Sequence, residues 1–200
     1  MSFRKLVWML LAVSLLSVTA KADTIDTVYF NGGYAFANNG VGIPPYQGTL
    51  NGQSAEFYCV DFSHEITGNT SWQATVTNLG ASSYSATRLG SSTIYYEIAW
   101  LLDQSLATTN QTTQAELQWA VWSFSGGWNP YGTNSTLVAE ALSAVQNGFT
   151  DNSWEILTPV GKYGQEFFVR TPEPSTLGLM IMGLIALAGF VRIAQPEPQS

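Results

Sequence analysis

Short patterned stretches of apolar residues fill the middle of this chain, and an unbroken apolar run stands at each end. Residues 27–30 and 54–62 are β-branched or aromatic and bordered by Gly and Asn, which predicts strands. Residues 71–78 alternate less cleanly and predict a third. Gly32-Gly33, Asn38-Asn39-Gly40 and Asn51-Gly52 mark turns. The period then changes. Ile94, Tyr95, Ile98, Leu101 and Leu102 recur at helical spacing after a cap region at Ser91-Ser92-Thr93. A second helix is predicted over about 114–124, with Thr113 and Glu116 as a capping-box pair and Gly126-Gly127 as its end. A third covers about 137–146, closed by Gly148. Strands return at 154–157 and 165–169. The order predicts an α+β domain: a β-sandwich-like scaffold with a helical insertion over about 84–147.

The terminal runs have different meanings. Arg4 and Lys5 precede apolar residues 6–18, and Ala20-Lys21-Ala22 supplies a small-x-small site. This is the pattern of a secretory signal peptide over 1–22, cleaved after Ala22. At the other end, residues 177–191 carry no charge and are followed by Arg192. Fifteen residues at the helical rise span roughly 22 Å, short of a ~30 Å bilayer core, so a membrane helix here needs local thinning and a snorkelling Arg192. Pro172 and Pro174 cannot lie in a helix interior, and they hold the preceding chain extended. The tripeptide Pro172-Glu173-Pro174, the apolar segment and the basic stop together resemble the PEP-CTERM sorting signal of exported Gram-negative bacterial proteins. Where that family usually ends in a cluster of basic residues, this chain has Arg192 alone, then a tail over 193–200. The resemblance implies an exosortase-type processing enzyme as partner and cleavage near the motif. The implied location is the inner membrane through 177–191, transiently or permanently, then the cell surface or extracellular space.

The exported body over 23–170 is long enough for one domain with its own core. The whole chain has a net charge of −7. In the body, the three bases Arg88, Lys162 and Arg170 stand against twelve acids, a net −9. No basic surplus is left to hold a phosphate backbone, which argues against nucleic acid as a partner.

Cys59 is the one cysteine, and it lies in a compartment where cysteines usually pair. It sits in Phe57-Tyr58-Cys59-Val60-Asp61, and the second predicted helix carries Leu117-Gln118-Trp119-Ala120-Val121-Trp122. An aromatic-Cys-aliphatic-Asp strand with an aliphatic-Gln-x-Ala-aliphatic-Trp helix resembles the thioester domains of bacterial surface adhesins. The resemblance implies that Cys59 is the thiol and Gln118 the acyl donor of an internal thioester, formed with loss of ammonia. Such a bond must be shielded from water, and Tyr58, Trp119 and Trp122 stand beside both partners in sequence. It implies a surface protein or extracellular polysaccharide as target, through an amine or hydroxyl, with no cofactor and no enzymatic turnover.

The residues alone permit a blander reading. Leu117, Ala120, Val121 and Phe124 form a core-facing stripe flanked by Trp119 and Trp122, Gln118 is solvated, and Cys59 is a buried hydrophobe. His64 is the single histidine. On a continuous strand it would lie ~16 Å from Cys59 on the opposite face, so a Cys-His nucleophilic pair needs a chain reversal after Phe62. One His and one Cys make no zinc site. Asp61 shares the Cys59 face by alternation, and a turn-capping role is expected of it. A rival from another class is a noncovalent matrix- or carbohydrate-binding surface module with no thioester, using Trp72, Trp128, Tyr131 and Trp154 as stacking surfaces on sugar rings.

Overall fold

A computed structural model describes residues 24–127, 130–132 and 134–170. The signal segment with Ala20 and Ala22, the sorting motif Pro172-Glu173-Pro174, the segment 177–191, Arg192, the tail and Trp128 lie outside these residues. Among the described residues no helix is long and apolar enough to cross a membrane.

The scaffold is mixed α and β. In chain order the elements are β1 (Thr24–Gly33), β2 (Phe36–Asn38), β3 (Val41–Ile43), β4 (Tyr46–Leu50), β5 (Gln53–Cys59), β6 (Thr70–Asn78), α1 (Ser92–Leu106), α2 (Gln111–Ser123), α3 (Asn134–Gln146), β7 (Trp154–Pro159) and β8 (Phe167–Arg170). Six strands close into an antiparallel barrel in the order β1-β4-β5-β8-β7-β6, and β2-β3 form a separate hairpin. The expected sandwich is thus replaced by a barrel. Short alternating strands suit either form. The difference comes from β1, whose ten residues pair with β4 on one side and β6 on the other, so no edge strand remains.

Local chemistry explains most of the turns. Asn51 and Gly52 take positive φ angles of 52° and 80°, the geometry of a two-residue hairpin turn between β4 and β5. Gly32-Gly33 does not turn the chain as expected. It ends β1 with a register shift against β4. β4 itself was not predicted, because Gln47 and Gly48 break its apolar pattern. Gly48 is required there by close approach: a Cβ would collide with the Tyr29 carbonyl of β1.

The three helices enter after β6 and leave before β7. These two strands are neighbours, and Leu79 N–H continues their ladder to the Trp154 carbonyl at 3.1 Å. The helical layer is therefore an excursion from one point on the barrel wall. α1 starts at the predicted cap, with Ser91 as N-cap. α2 starts earlier than the capping box implied. Asn110, not Thr113, is the N-cap, and its Oδ1 accepts from Thr112 and Thr113 N–H at 2.9 and 3.2 Å.

Two cores result. The barrel interior holds Val28, Phe30, Tyr46, Phe57, Val76, Leu157 and Phe167. The second core lies between the barrel wall and the helices, with Tyr58, Ile98, Leu101, Val121, Trp154 and Phe168. β5, β7 and β8 face both, so their side chains are buried on both sides near the contact. Trp154 is fully buried, against the expectation of a surface sugar platform. Arg170 lies over its ring at 4.8 Å and binds Asp103 of α1 at 2.5 Å, pinning the wall to the helices.

Candidate functional site at the end of strand β5

Alternation along β5 sends Phe57 and Cys59 into the barrel and Tyr58 and Val60 toward the helices. α2 packs against the same end of the barrel and contributes to both cores. Leu117, Ala120 and Val121 join the helical core, while Ala115, Trp119 and Trp122 enter the barrel core. Gln118 sits between these stripes and is only 2% exposed. Its Nε2 donates to the Cys59 backbone carbonyl at 2.8 Å, across 59 residues of sequence. The structure thus brings Cys59 and Gln118 together, and a solvated Gln118 is ruled out. A buried primary amide is costly unless its N–H groups find acceptors, so this bond is what permits the residue in a core.

The pairing is held from several directions. Phe62 N–H donates to Ser125 Oγ at 2.9 Å, and Ser63 Oγ donates to the Ser125 carbonyl, which ties the loop after β5 to the end of α2. Gly127 N–H reaches back to the Trp122 carbonyl at 2.8 Å and ends the helix where Gly126-Gly127 predicted. Gln165 Nε2 donates to the Asp61 carbonyl at 3.3 Å from the chain entering β8.

Aromatic rings wall the pocket. Phe62 packs on Trp119 at 5.4 Å and on Trp122 at 5.3 Å, and the two indoles meet edge to face at 4.9 Å. Tyr58 is not among them. It points to the opposite side of β5, where it packs edge-on against Trp154. The wall expected of Tyr58 is supplied by Phe62 instead, because adjacent strand residues face opposite ways. A further cover comes from the β2-β3 hairpin. Asn38 accepts from Trp119 Nε1 at 3.3 Å and donates to the Tyr131 hydroxyl at 2.6 Å. The Asn38-Asn39-Gly40 signal marked the turn, but nothing local said which part of the domain it folds over. Trp72 is half-buried, with its ring against Phe167, so neither it nor Tyr131 stands free as a stacking platform.

Cys59 is completely buried. Burial pushes its thiol up to about 12; the Trp122 indole, the next influence in size, pulls it down, Glu166 pushes it up and Arg88 pulls it down. Its Sγ donates to the Asp61 carbonyl at 3.4 Å. At neutral pH the thiolate fraction is then about 10⁻⁵, too small for an intermolecular nucleophile. A partner held in contact can offset this, since effective molarities reach roughly 10⁵–10⁸ M. The Trp122 ring is 1% exposed, and its indole N–H lies toward the Cys59 sulfur, which is how it lowers the thiol, without reaching full hydrogen-bonding geometry to that sulfur or to another acceptor. An unmet buried N–H costs about 1–3 kcal/mol.

Beside this pocket lies a charged cluster that the sequence did not reveal. Asp61 is buried and ion-paired to Arg88, and its Oδ1 also accepts from Ser63 N–H at 3.1 Å, the turn-capping role expected of it. His64 Nδ1 lies 3.0 Å from Asp61 Oδ1, within a chain reversal at 62–64, and its side chain is 44% exposed. Glu166, fully buried, accepts from the Tyr95 hydroxyl, from Thr158 Oγ1 at 2.6 Å and from Arg88 N–H at 3.0 Å. Arg88 Nη2 donates to the Gly164 carbonyl at 2.8 Å. Among the described residues no group of three His, Cys, Asp or Glu side chains could hold a metal ion.

No protein-family model, no curated protein and no solved structure matches this chain.

Proposed function

We propose that this is an exported bacterial surface or matrix protein whose Cys59 and Gln118 condense into an internal thioester that captures an amine or hydroxyl. The observation that carries the reading is the 2.8 Å hydrogen bond from Gln118 Nε2 to the backbone carbonyl of Cys59, both residues buried, on elements far apart in sequence. Capture then proceeds by acyl transfer. The target's nucleophile attacks the Gln118 carbonyl carbon, the carbon–sulfur bond breaks, and the sulfur leaves as the Cys59 thiol once it has taken up a proton. The target ends as an amide or ester of the Gln118 side chain. The rings of Phe62, Trp119 and Trp122 keep bulk water from the bond until a target arrives. Export by the signal segment over 1–22, processing by an exosortase-type enzyme at Pro172-Glu173-Pro174 and retention through 177–191 belong to the same proposal. They rest on the sequence patterns at the two ends. A surface polysaccharide or protein is the target class.

Intact mass of the secreted chain tests the reading, measured beside Cys59→Ala and Gln118→Ala. The expected wild-type mass is one ammonia below the sequence mass. The deficit is replaced by an added methylamine after treatment with that amine, and both variants lack it. An unshifted mass with a titratable thiol would overturn covalent capture and leave a noncovalent surface module.

A further inference from the structure

The indole N–H of Trp122 is the feature of the pocket that neither packing nor shielding accounts for. A phenyl ring would wall the pocket as well and leave no unmet donor. Among the described residues, four other buried side-chain atoms make no hydrogen bond: Asp61 Oδ2 and Arg88 Nη1 are ion-paired to each other, and Trp72 Nε1 and Thr77 Oγ1 belong neither to α2 nor to the turn after β5. Trp122 follows Gln118 by four residues on α2, so the two side chains lie one turn apart on neighbouring positions of one face. Its ring is fixed between Phe62 and Trp119.

We propose, on the premise that Cys59 and Gln118 condense, that the Trp122 N–H is the donor that receives the Gln118 carbonyl oxygen when it becomes an oxyanion. In the forward step Cys59 Sγ bonds to Gln118 Cδ, and the carbonyl electron pair moves onto Oε1. Collapse restores the carbonyl, breaks the Cδ–Nε2 bond and releases ammonia, with the thiol proton ending on the departing nitrogen. Nothing is oxidised or reduced and no co-reactant is required. Two of the three changing atoms already have partners. The nitrogen is held by the Cys59 carbonyl at 2.8 Å, and the sulfur by the Asp61 carbonyl at 3.4 Å. The oxygen is the third, and Trp122, whose N–H lies toward the reacting sulfur without full hydrogen-bonding geometry, carries the donor that can meet it. A donor placed where charge develops, in a dry site, acts on the transition state more than on the resting amide. The same donor serves when a target nucleophile attacks, because that attack builds the same oxyanion.

The test uses the secreted chain with Trp122 replaced by β-benzothienylalanine, which keeps the fused-ring shape and exchanges N–H for sulfur, beside Trp122→Phe. The expected result is formation of the ammonia-deficient species, and its opening by methylamine, slowed on the order of 10²-fold in the benzothienyl chain with the fold intact by circular dichroism. The carbonyl stretch of the bond, read by infrared with ¹³C-labelled glutamine, should move to higher frequency, a change that a purely structural role would not produce. Wild-type rates and an unshifted band in the benzothienyl chain would overturn the role of Trp122 while leaving the thioester standing. Absence of the ammonia deficit in the wild type would overturn both together. Should Trp122→Phe fail to fold, the benzothienyl chain still decides.

Discussion

Two buried polar neighbourhoods meet at the end of β5, and they are built on opposite principles. Cys59 and Gln118 meet through neutral groups, the walls are aromatic, and the Trp122 N–H reaches no acceptor in full hydrogen-bonding geometry, while Glu166 and Arg88 act on the thiol from the neighbouring cluster. A few residues away, Asp61, Arg88 and Glu166 bring full charges into the interior. Each is paired: Arg88 with Asp61, and Glu166 with Tyr95, Thr158 and the Arg88 backbone. A satisfied charged network resists change, since removing one member strands the others. A neutral neighbourhood with a donor short of full hydrogen bonding has an interaction still to make, which is where chemistry can be accommodated. The cluster locks the β5 turn to β8 and to the chain before α1, and the pocket beside it inherits that rigidity.

The sharpest break of this contrast is Arg88→Met. It leaves buried Asp61 without its cation, and a loss of about 3–5 kcal/mol is expected in denaturant unfolding. Tyr95→Phe is milder. It removes one donor to Glu166 and the acceptor of the Leu89 N–H bond at 3.1 Å, for about 1–3 kcal/mol by the same measurement. Gln118→Leu should cost only about 1 kcal/mol, yet abolish the ammonia deficit in the intact mass. A large stability loss there with the deficit retained would erase the distinction between the two neighbourhoods.

Alkali offers a finer comparison. In the unfolded chain the Cys59 thiol titrates near its ordinary value of 9, and in the folded chain burial raises it to about 12. Between those values the unfolded state releases a proton that the folded state keeps. Stability is therefore full below pH 9 and falls as pH rises, by about 1.4 kcal/mol per unit. Tyr58 and Tyr84, raised from 10 to about 12 chiefly by burial, add to the fall from pH 10 upward. Urea unfolding of the methylamine-opened chain should show the decline from pH 9, and Cys59→Ala should delay it to pH 10. The smallest effect is expected for His64→Ala. Its ring is half in solvent, and an exposed pair contributes about 0–1 kcal/mol, so the unfolding midpoint should barely move.

Much of the scaffold was readable along the chain. Helix periodicity placed α1 and α3 within a few residues, Gly126-Gly127 marked the end of α2, and Asn51-Gly52 marked a true hairpin turn. The misses share a cause. Barrel closure, the bulge at Gly32-Gly33 and the need for Gly48 all depend on which strand lies alongside, and strand patterns do not name their neighbours. In the pocket, adjacency in sequence groups Tyr58 with Cys59, whereas alternation sends them to different cores. Phe62, Asn38 and Asp61 carry local turn and strand signals but none for their contacts with Trp119, Trp122 and Arg88, which arise only across dozens of residues.

What the sequence determined by itself was therefore local: the order of strands and helices, the acidic balance, and the pairing of one Cys with one Gln as candidates. Local geometry and solvation set these, and a few neighbouring residues suffice to express them. Only the tertiary structure decided that Gln118 is buried against Cys59, that Phe62 replaces Tyr58 in the wall, and that Trp122 keeps an unmet N–H. Burial and hydrogen-bond satisfaction are properties of the closed barrel with α2 packed on it. They have no value for any residue until the whole chain has folded around it.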